Sequence, residues 1–227
     1  KNTKKYTTNV VNNKEISTTA ITTRSKFKLH LLLPTLDTIA HHPLIISAVR
    51  NCLGNTSNLL LWSSDINIKE FNTASYFALH QDSTYSGLLP SNKCVTVWIA
   101  LSDPVGIQEG CLSFYPQPIN EMKQLPHTTC NTSSDNNSND NNDDNSDNML
   151  SMGQYIAKET LHKVECGSPV SVPLRGGQMT IHSFYSIHYS GPNNHNQSTT
   201  PTPTGGSPRI GFALRYIDGT NVQQSKR

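Results

Sequence analysis

The chain has 227 residues, a formal net charge of +2 and 34% hydrophobic residues. That length suits one sizeable domain with a real core, and the charge is too small to imply nucleic-acid binding. No apolar run approaches the roughly 20 residues needed to cross a bilayer, so no membrane span is expected. Residues 1–25 are rich in Thr, Asn and Lys and read as a loosely ordered arm without the apolar core of a signal peptide. The chain opens on lysine rather than methionine, consistent with an excerpt of a longer protein carrying an upstream targeting segment. "LPTLDTIAHHPLIISAVRNCLG" (33–54) has apolar residues at helical intervals, with Pro34 in a first turn, Pro43 dividing the run and Gly54 as a stop.

Strand signals follow. They cover 58–71 ("NLLLWSSDINIKEF"), 75–82 ("SYFALHQD"), 94–103 ("CVTVWIALSD") and 109–116 ("EGCLSFYP"). Further signals lie at 168–174, 177–191 and 209–217. Many short strands separated by Gly, Pro and Asn predict an antiparallel barrel or jelly roll. Residues 131–148 contain only Asn, Asp, Ser and one Thr and cannot bury apolar surface, so they read as a disordered insertion. Their Asp content is no calcium loop, because the EF-hand glycine and final glutamate are absent. Residues 193–207 read similarly. The predicted organisation is an arm (1–25), a domain (26–220) with insertions at 131–148 and 193–207, and a tail (221–227). Five cysteines without a C-x-x-C pair argue against a disulfide framework or zinc ribbon and favour free thiols in a reducing, intracellular compartment.

The chemistry begins at "FALHQDSTY" (77–85). In a strand, residues i and i+2 share a face, so His80 and Asp82 are expected to meet at one point and Gln81 to turn away, unless a bulge turns it inward. A metal site then needs a third ligand. His41 and His42 lie in a helical stretch, and His127 and His195 border the insertions. His182 and His188 both lie on strand-like segments and remain candidates. His188 ends a strand before a Ser-Gly-Pro-Asn turn, as expected at the mouth of a barrel. Lys69 reads as a solvated strand lysine, with the pocket as the other place it could reach, Trp98 as core packing or pocket wall, and Tyr85 as a substrate contact or a core cap.

The ordered set "HQDSTY", "VTVWIALSD", "EGCLSFYP", "HYSGPN" and "RIGFALRYI" resembles the phytanoyl-CoA dioxygenase family over roughly residues 29–217. The resemblance implies a mainly β, double-stranded β-helix fold (a cupin-like jelly roll) with flanking helices. It implies a dioxygenase that uses Fe(II), 2-oxoglutarate and O2 to hydroxylate a small-molecule or lipid-like substrate, with succinate and CO2 as coproducts. His80, Asp82 and His188 would be the catalytic metal ligands. Arg209 would hold the distal carboxylate of 2-oxoglutarate, with Arg215 as competitor, and Gln81, Trp98 and Ser190 would line the cosubstrate pocket. The chain departs from the family pattern at Ser86, where an aromatic residue is usual, and in the long interval between His188 and Arg209. Related halogenases carry a small residue where Asp82 stands, so the carboxylate points to hydroxylation. Two other functions share these residues: a jelly-roll binding module without chemistry, and a non-oxidative metal enzyme using the same three ligands.

Overall fold

The computed structural model describes residues 26–129, 147–150, 153–194 and 206–225. The predicted arm (1–25), most of the first insertion and the middle of the second lie outside these residues. In chain order the strands are β1 (Lys26–Phe27), β2 (Leu59–Lys69), β3 (Phe77–His80), β4 (Leu88–Leu89), β5 (Cys94–Ala100), β6 (Leu112–Tyr115) and β7 (Thr128–Thr129). They continue as β8 (Gln154–Tyr155), β9 (Val170–Val172), β10 (Met179–Ser183), β11 (Ile187–Ser190), β12 (Arg209–Asp218) and β13 (Gln223–Gln224). The helices are α1 (Pro34–Ala40), α2 (Pro43–Cys52) and the single-turn α3 (Ser83–Ser86) and α4 (Lys158–Leu161).

The expected break at Pro43 occurs. Proline disfavours the helical conformation in the residue before it, and His42 is extended at φ −60°, ψ 129°. Two helices result, with Pro34 and Pro43 each in a first turn. Gly54 ends the second in the left-handed region at φ 75°, a conformation that costs glycine little.

A major sheet has the order β1-β2-β12-β5-β10, and a minor sheet the order β3-β11-β6-β9. All their pairings are antiparallel. The two sheets form the double-stranded β-helix. β5 is buried along its whole length because both its faces are covered. Val95, Val97 and Ile99 join Phe212, Leu214 and Tyr216 of β12 beneath Leu36, Ala40, Ile45 and Val49 of the helices. Each such buried side chain contributes roughly 1.5–3 kcal/mol of apolar transfer. The alternate residues Thr96, Trp98, Ala213 and Arg215 line the interior cavity. The helices therefore cover one face of the major sheet and leave the other free to build a site.

Within residues 221–227, β13 pairs with β4. The insertions are anchored at their stems: Asn148 Oδ1 accepts from Ala78 N–H, and buried Asn193 donates to the carbonyls of Lys69 and Ser207.

Candidate metal centre and cosubstrate pocket

His80 ends β3. Asp82 is not on that strand. It sits at φ −63°, ψ −25° in the position just before α3, so the pair converges through a strand-to-helix turn rather than through the pleat of a regular strand. His188 lies opposite His80 in the β3–β11 register, with ring centroids 4.1 Å apart. The Nε2 atoms of His80 and His188 stand 3.6 and 3.9 Å from Asp82 Oδ1. One ligand atom from each of the three residues fits within 4.8 Å, and all three residues are buried. Nδ1 of His80 is 2.7 Å from Ala78 O, and Nδ1 of His188 is 3.0 Å from Ser186 O. A carbonyl only accepts, so each Nδ1 carries the proton and each Nε2 lone pair faces the cluster. Burial also holds the His188 pKa well below the ordinary histidine value, which keeps the ring neutral for ligation. Two neutral imidazoles and a carboxylate on one side of an ion are the donor set of non-haem iron(II) oxygenases, and these residues fit it.

Asp82 is held from several sides. Tyr85 donates its hydroxyl to Oδ1 and Thr96 donates to Oδ2, while Arg215 Nε lies 3.8 Å from Oδ2. Burial pushes the carboxyl up, but the contact with His80 and the charge of Arg215 outweigh it, and its pKa lies well below the usual range. Arg215 is committed here. It ion-pairs with Asp65 and donates from Nη2 to Tyr85 Oη at 3.0 Å. His182 faces the same cavity from β10, with its ring 4.7 Å from that of His188. It is not in the three-residue ligand cluster.

Across the cavity lies a different environment. Arg209 is 1% exposed. It donates from Nη2 to Gly110 O at 3.0 Å and to Ser190 Oγ at 2.9 Å. Its guanidinium carbon sits 4.5 Å over the Trp98 ring. Its Nε and Nη1 are buried without a partner among the described residues. Lys69 is fully buried and donates to the carbonyls of Ser190 and Gly191, at 3.0 and 2.5 Å, and to Ser190 Oγ. Burial and the neighbouring Arg209 pull the Lys69 pKa well below the ordinary lysine range. Burial lowers Arg209 to about 10. Two buried cations side by side, with no carboxylate paired to either among the described residues, are costly without an anion.

Of the two places the sequence left open to Lys69, the structure has the buried one. The signal was faint: Lys69 shares its strand phase with Asp65 and Asn67 and not with Ile66 and Ile68. Trp98 and Ser190 stand beside Arg209 at the cation site. Gln81 does not. Its amide donates to the carbonyls of Lys123 and Tyr185 at 2.8 and 2.6 Å and accepts from Leu125 N–H at 2.8 Å, so it clamps a loop outside the pocket. The Gln81 N–H in turn donates to His127 Nε2 at 3.0 Å. Tyr85 and Thr96, inside the motifs HQDSTY and VTVWIALSD, hold Asp82, and His127, outside any motif, holds the backbone between the two ligands.

The family profile described as phytanoyl-CoA dioxygenase matches residues 4–199. No curated protein matches the chain significantly. Among solved structures, the chain is similar to the apo form of the non-heme monooxygenase ThoJ. That match has 28% identity and a TM-score of 0.64, and it covers 89% of this chain and 62% of the other. It is also similar to a ThoJ–nickel complex at 25% identity and a TM-score of 0.57, covering 88% and 60%. It shares its fold with the epimerase SnoN in complex with Fe3+, alpha ketoglutarate and nogalamycin RO, at 20% identity and a TM-score of 0.58, covering 89% and 65%. The chain thus spans less than two thirds of the length of each of these proteins. With the profile matched over most of its length and the double-stranded β-helix and its metal-ligand cluster in place, the chain belongs to the phytanoyl-CoA dioxygenase family.

Proposed function

We propose that the protein is an Fe(II)- and 2-oxoglutarate-dependent oxygenase that hydroxylates a small molecule. One observation carries this reading: a single cavity is bordered by the His80–Asp82–His188 donor set and by Arg209, whose unpartnered nitrogens want an anion. A dicarboxylate suits those two ends, since its oxo-acid end can ligate iron while its far carboxylate meets the guanidinium. His80 and His188 would hold the metal through Nε2 and Asp82 through its carboxylate, with Tyr85 and Thr96 fixing the carboxylate's orientation. Arg209 would bind the distal carboxylate with Lys69 and Ser190 beside it, and Trp98 would keep the guanidinium flat against the barrel wall. When bound, iron and 2-oxoglutarate supply activation of dioxygen, with succinate and carbon dioxide as coproducts. Burial of the donor set keeps bulk water from this chemistry. The description of ThoJ as a monooxygenase supports oxygen insertion. Because SnoN is an epimerase on the same fold, the test must read the product as well as turnover. The protein is loaded with Fe(II) without oxygen and titrated with 2-oxoglutarate to develop a charge-transfer band. After admission of oxygen, succinate is quantified with and without candidate substrates. Succinate coupled to a product heavier by one oxygen atom supports hydroxylation. Coupled succinate with a product of unchanged mass supports epimerisation, and absence of both band and succinate defeats the proposal.

A further inference from the structure

A second cavity, of about 410 Å³, lies beside the metal centre. It shares Asn67, Phe77, Tyr85, Leu150 and Arg215 with the metal cavity, so the two cavities meet at a common wall. The volume falls in the usual range for small-molecule sites. Its walls are mostly apolar and aromatic, with Phe27, Trp62 and Met149 added to Phe77 and Tyr85.

The polar groups decide what such walls can hold. Among the described residues of the lining, Asp65 and Arg215 are the only charged ones, and they are ion-paired to each other. An anion entering would face Asp65 and would find the guanidinium already engaged with Asp65, Tyr85 and Asp82. A cation would be repelled by Arg215. A neutral hydroxyl avoids both costs, since it can donate to the Asp65 carboxylate. Ser63 adds a buried hydroxyl in the same wall that has no hydrogen-bond partner among the described residues. A buried polar atom left unpaired is costly, and a ligand hydroxyl would pair it.

We propose that this cavity binds the substrate to be oxidised, and that the substrate is an uncharged, hydroxyl-bearing ring compound rather than an acyl-CoA thioester. The proposal rests on the oxygenase reading of the adjoining centre. Aromatic walls stack on ring faces, and the locked Asp65–Arg215 pair selects against net charge. Among the described residues of this lining, the phosphates of a coenzyme A chain would find no cation outside the Asp65–Arg215 pair.

The test uses the iron-loaded protein with 2-oxoglutarate in the absence of oxygen. Testosterone serves as the neutral alcohol, testosterone sulfate as its anion, androstane as the ring system without oxygen, and palmitoyl-CoA as the thioester. Binding is followed by calorimetry and by quenching of Trp62 emission, with Trp62→Phe as control for the signal. Testosterone should bind at least about tenfold more tightly than each of the other three, equivalent to about 1.4 kcal/mol. Asp65→Asn should tighten the sulfate by about tenfold, because Arg215 then meets the ligand without its carboxylate partner. Ser63→Ala should narrow the gap between testosterone and androstane. Palmitoyl-CoA or the sulfate binding as tightly as testosterone to the unsubstituted protein overturns the proposal. So does an Asp65→Asn variant with unchanged sulfate affinity, or failure of all four probes while the iron–2-oxoglutarate band forms. If testosterone binds with the expected ranking but no band develops, the cavity chemistry is supported and the oxygenase reading beneath it is overturned.

Discussion

Arg209 and Trp98 stack across neighbouring strands, with the guanidinium carbon 4.5 Å above the indole ring. Trp98 in turn lies against Gly211, where an added Cβ would overlap its ring. The glycine is therefore what lets the indole lie flat under the arginine. Gly211→Ala should displace Trp98 and tilt Arg209 away from Ser190. Overpacking of this kind costs about 1–3 kcal/mol. Denaturant unfolding should show that loss, and titration of 2-oxoglutarate into the iron-loaded variant should show weakened affinity with iron still bound.

The cation site makes a second prediction. Arg209→Lys replaces a planar two-pronged donor with one hydrated point charge. Losing about one charged hydrogen bond, on the order of 1.5–3 kcal/mol, should weaken 2-oxoglutarate binding by roughly tenfold or more. Lys69→Met should also weaken it, because it removes the second buried charge beside the same anion. Arg215→Lys is the control. Arg215 is spent on Asp65, Asp82 and Tyr85, so its replacement should disturb iron more than cosubstrate. If Arg215→Lys weakens 2-oxoglutarate binding and Arg209→Lys does not, the anchor has been assigned to the wrong arginine.

Metal removal separates the two nearby histidines. His188→Ala should abolish stoichiometric iron, measured by elemental analysis after gel filtration. His182→Ala should retain it, because His182 stands outside the ligand cluster. Retention of iron by the first variant and loss by the second would exchange their roles.

His127 predicts a pH dependence. Its Nε2 accepts from Gln81 N–H, and its Nδ1 lies 2.9 Å from Leu125 O, which requires the neutral ring. Burial lowers its pKa. The unfolded chain, with a histidine pKa of about 6.5, then binds more protons than the folded one, so stability rises with pH through this window. As pH falls below about 6.5, stability should be lost until the folded pKa is passed. His127→Gln should show a shallower decline of melting temperature between pH 7.5 and 5, about the interval in which a histidine titrates. Identical slopes would remove His127 from the account. His127→Leu should cost about 1–3 kcal/mol by leaving the Gln81 N–H without an acceptor.

Local spacing carried much of the fold. The helical intervals of 33–54, the break at Pro43 and the dense Val and Ile of β5 follow from neighbours in the chain. The motif order pointed to His80, Asp82 and His188, and also to Arg209, Trp98 and Ser190 at one pocket. Alternation turned Gln81 away from the pair, where it is found, and only the resemblance had set it on the pocket. Asp82 leaves the strand for α3, and no alternation rule extends across that turn.

Lys69 shows the limit most clearly. On its own strand it reads as an ordinary polar residue, since nothing nearby in sequence marks it. Its partners Ser190 and Gly191 lie more than a hundred residues away, and Arg209 follows later still. The sequence by itself determined which ligand types the chain carries and in what order, while the turn after His80 set Asp82 at the start of α3 instead of on the strand. Only the tertiary structure decided that Arg215 is bound up with Asp65 while Arg209 and Lys69 are buried without a carboxylate partner among the described residues. Burial and charge pairing arise between strands that the β-helix brings together, and those contacts are long-range in the chain.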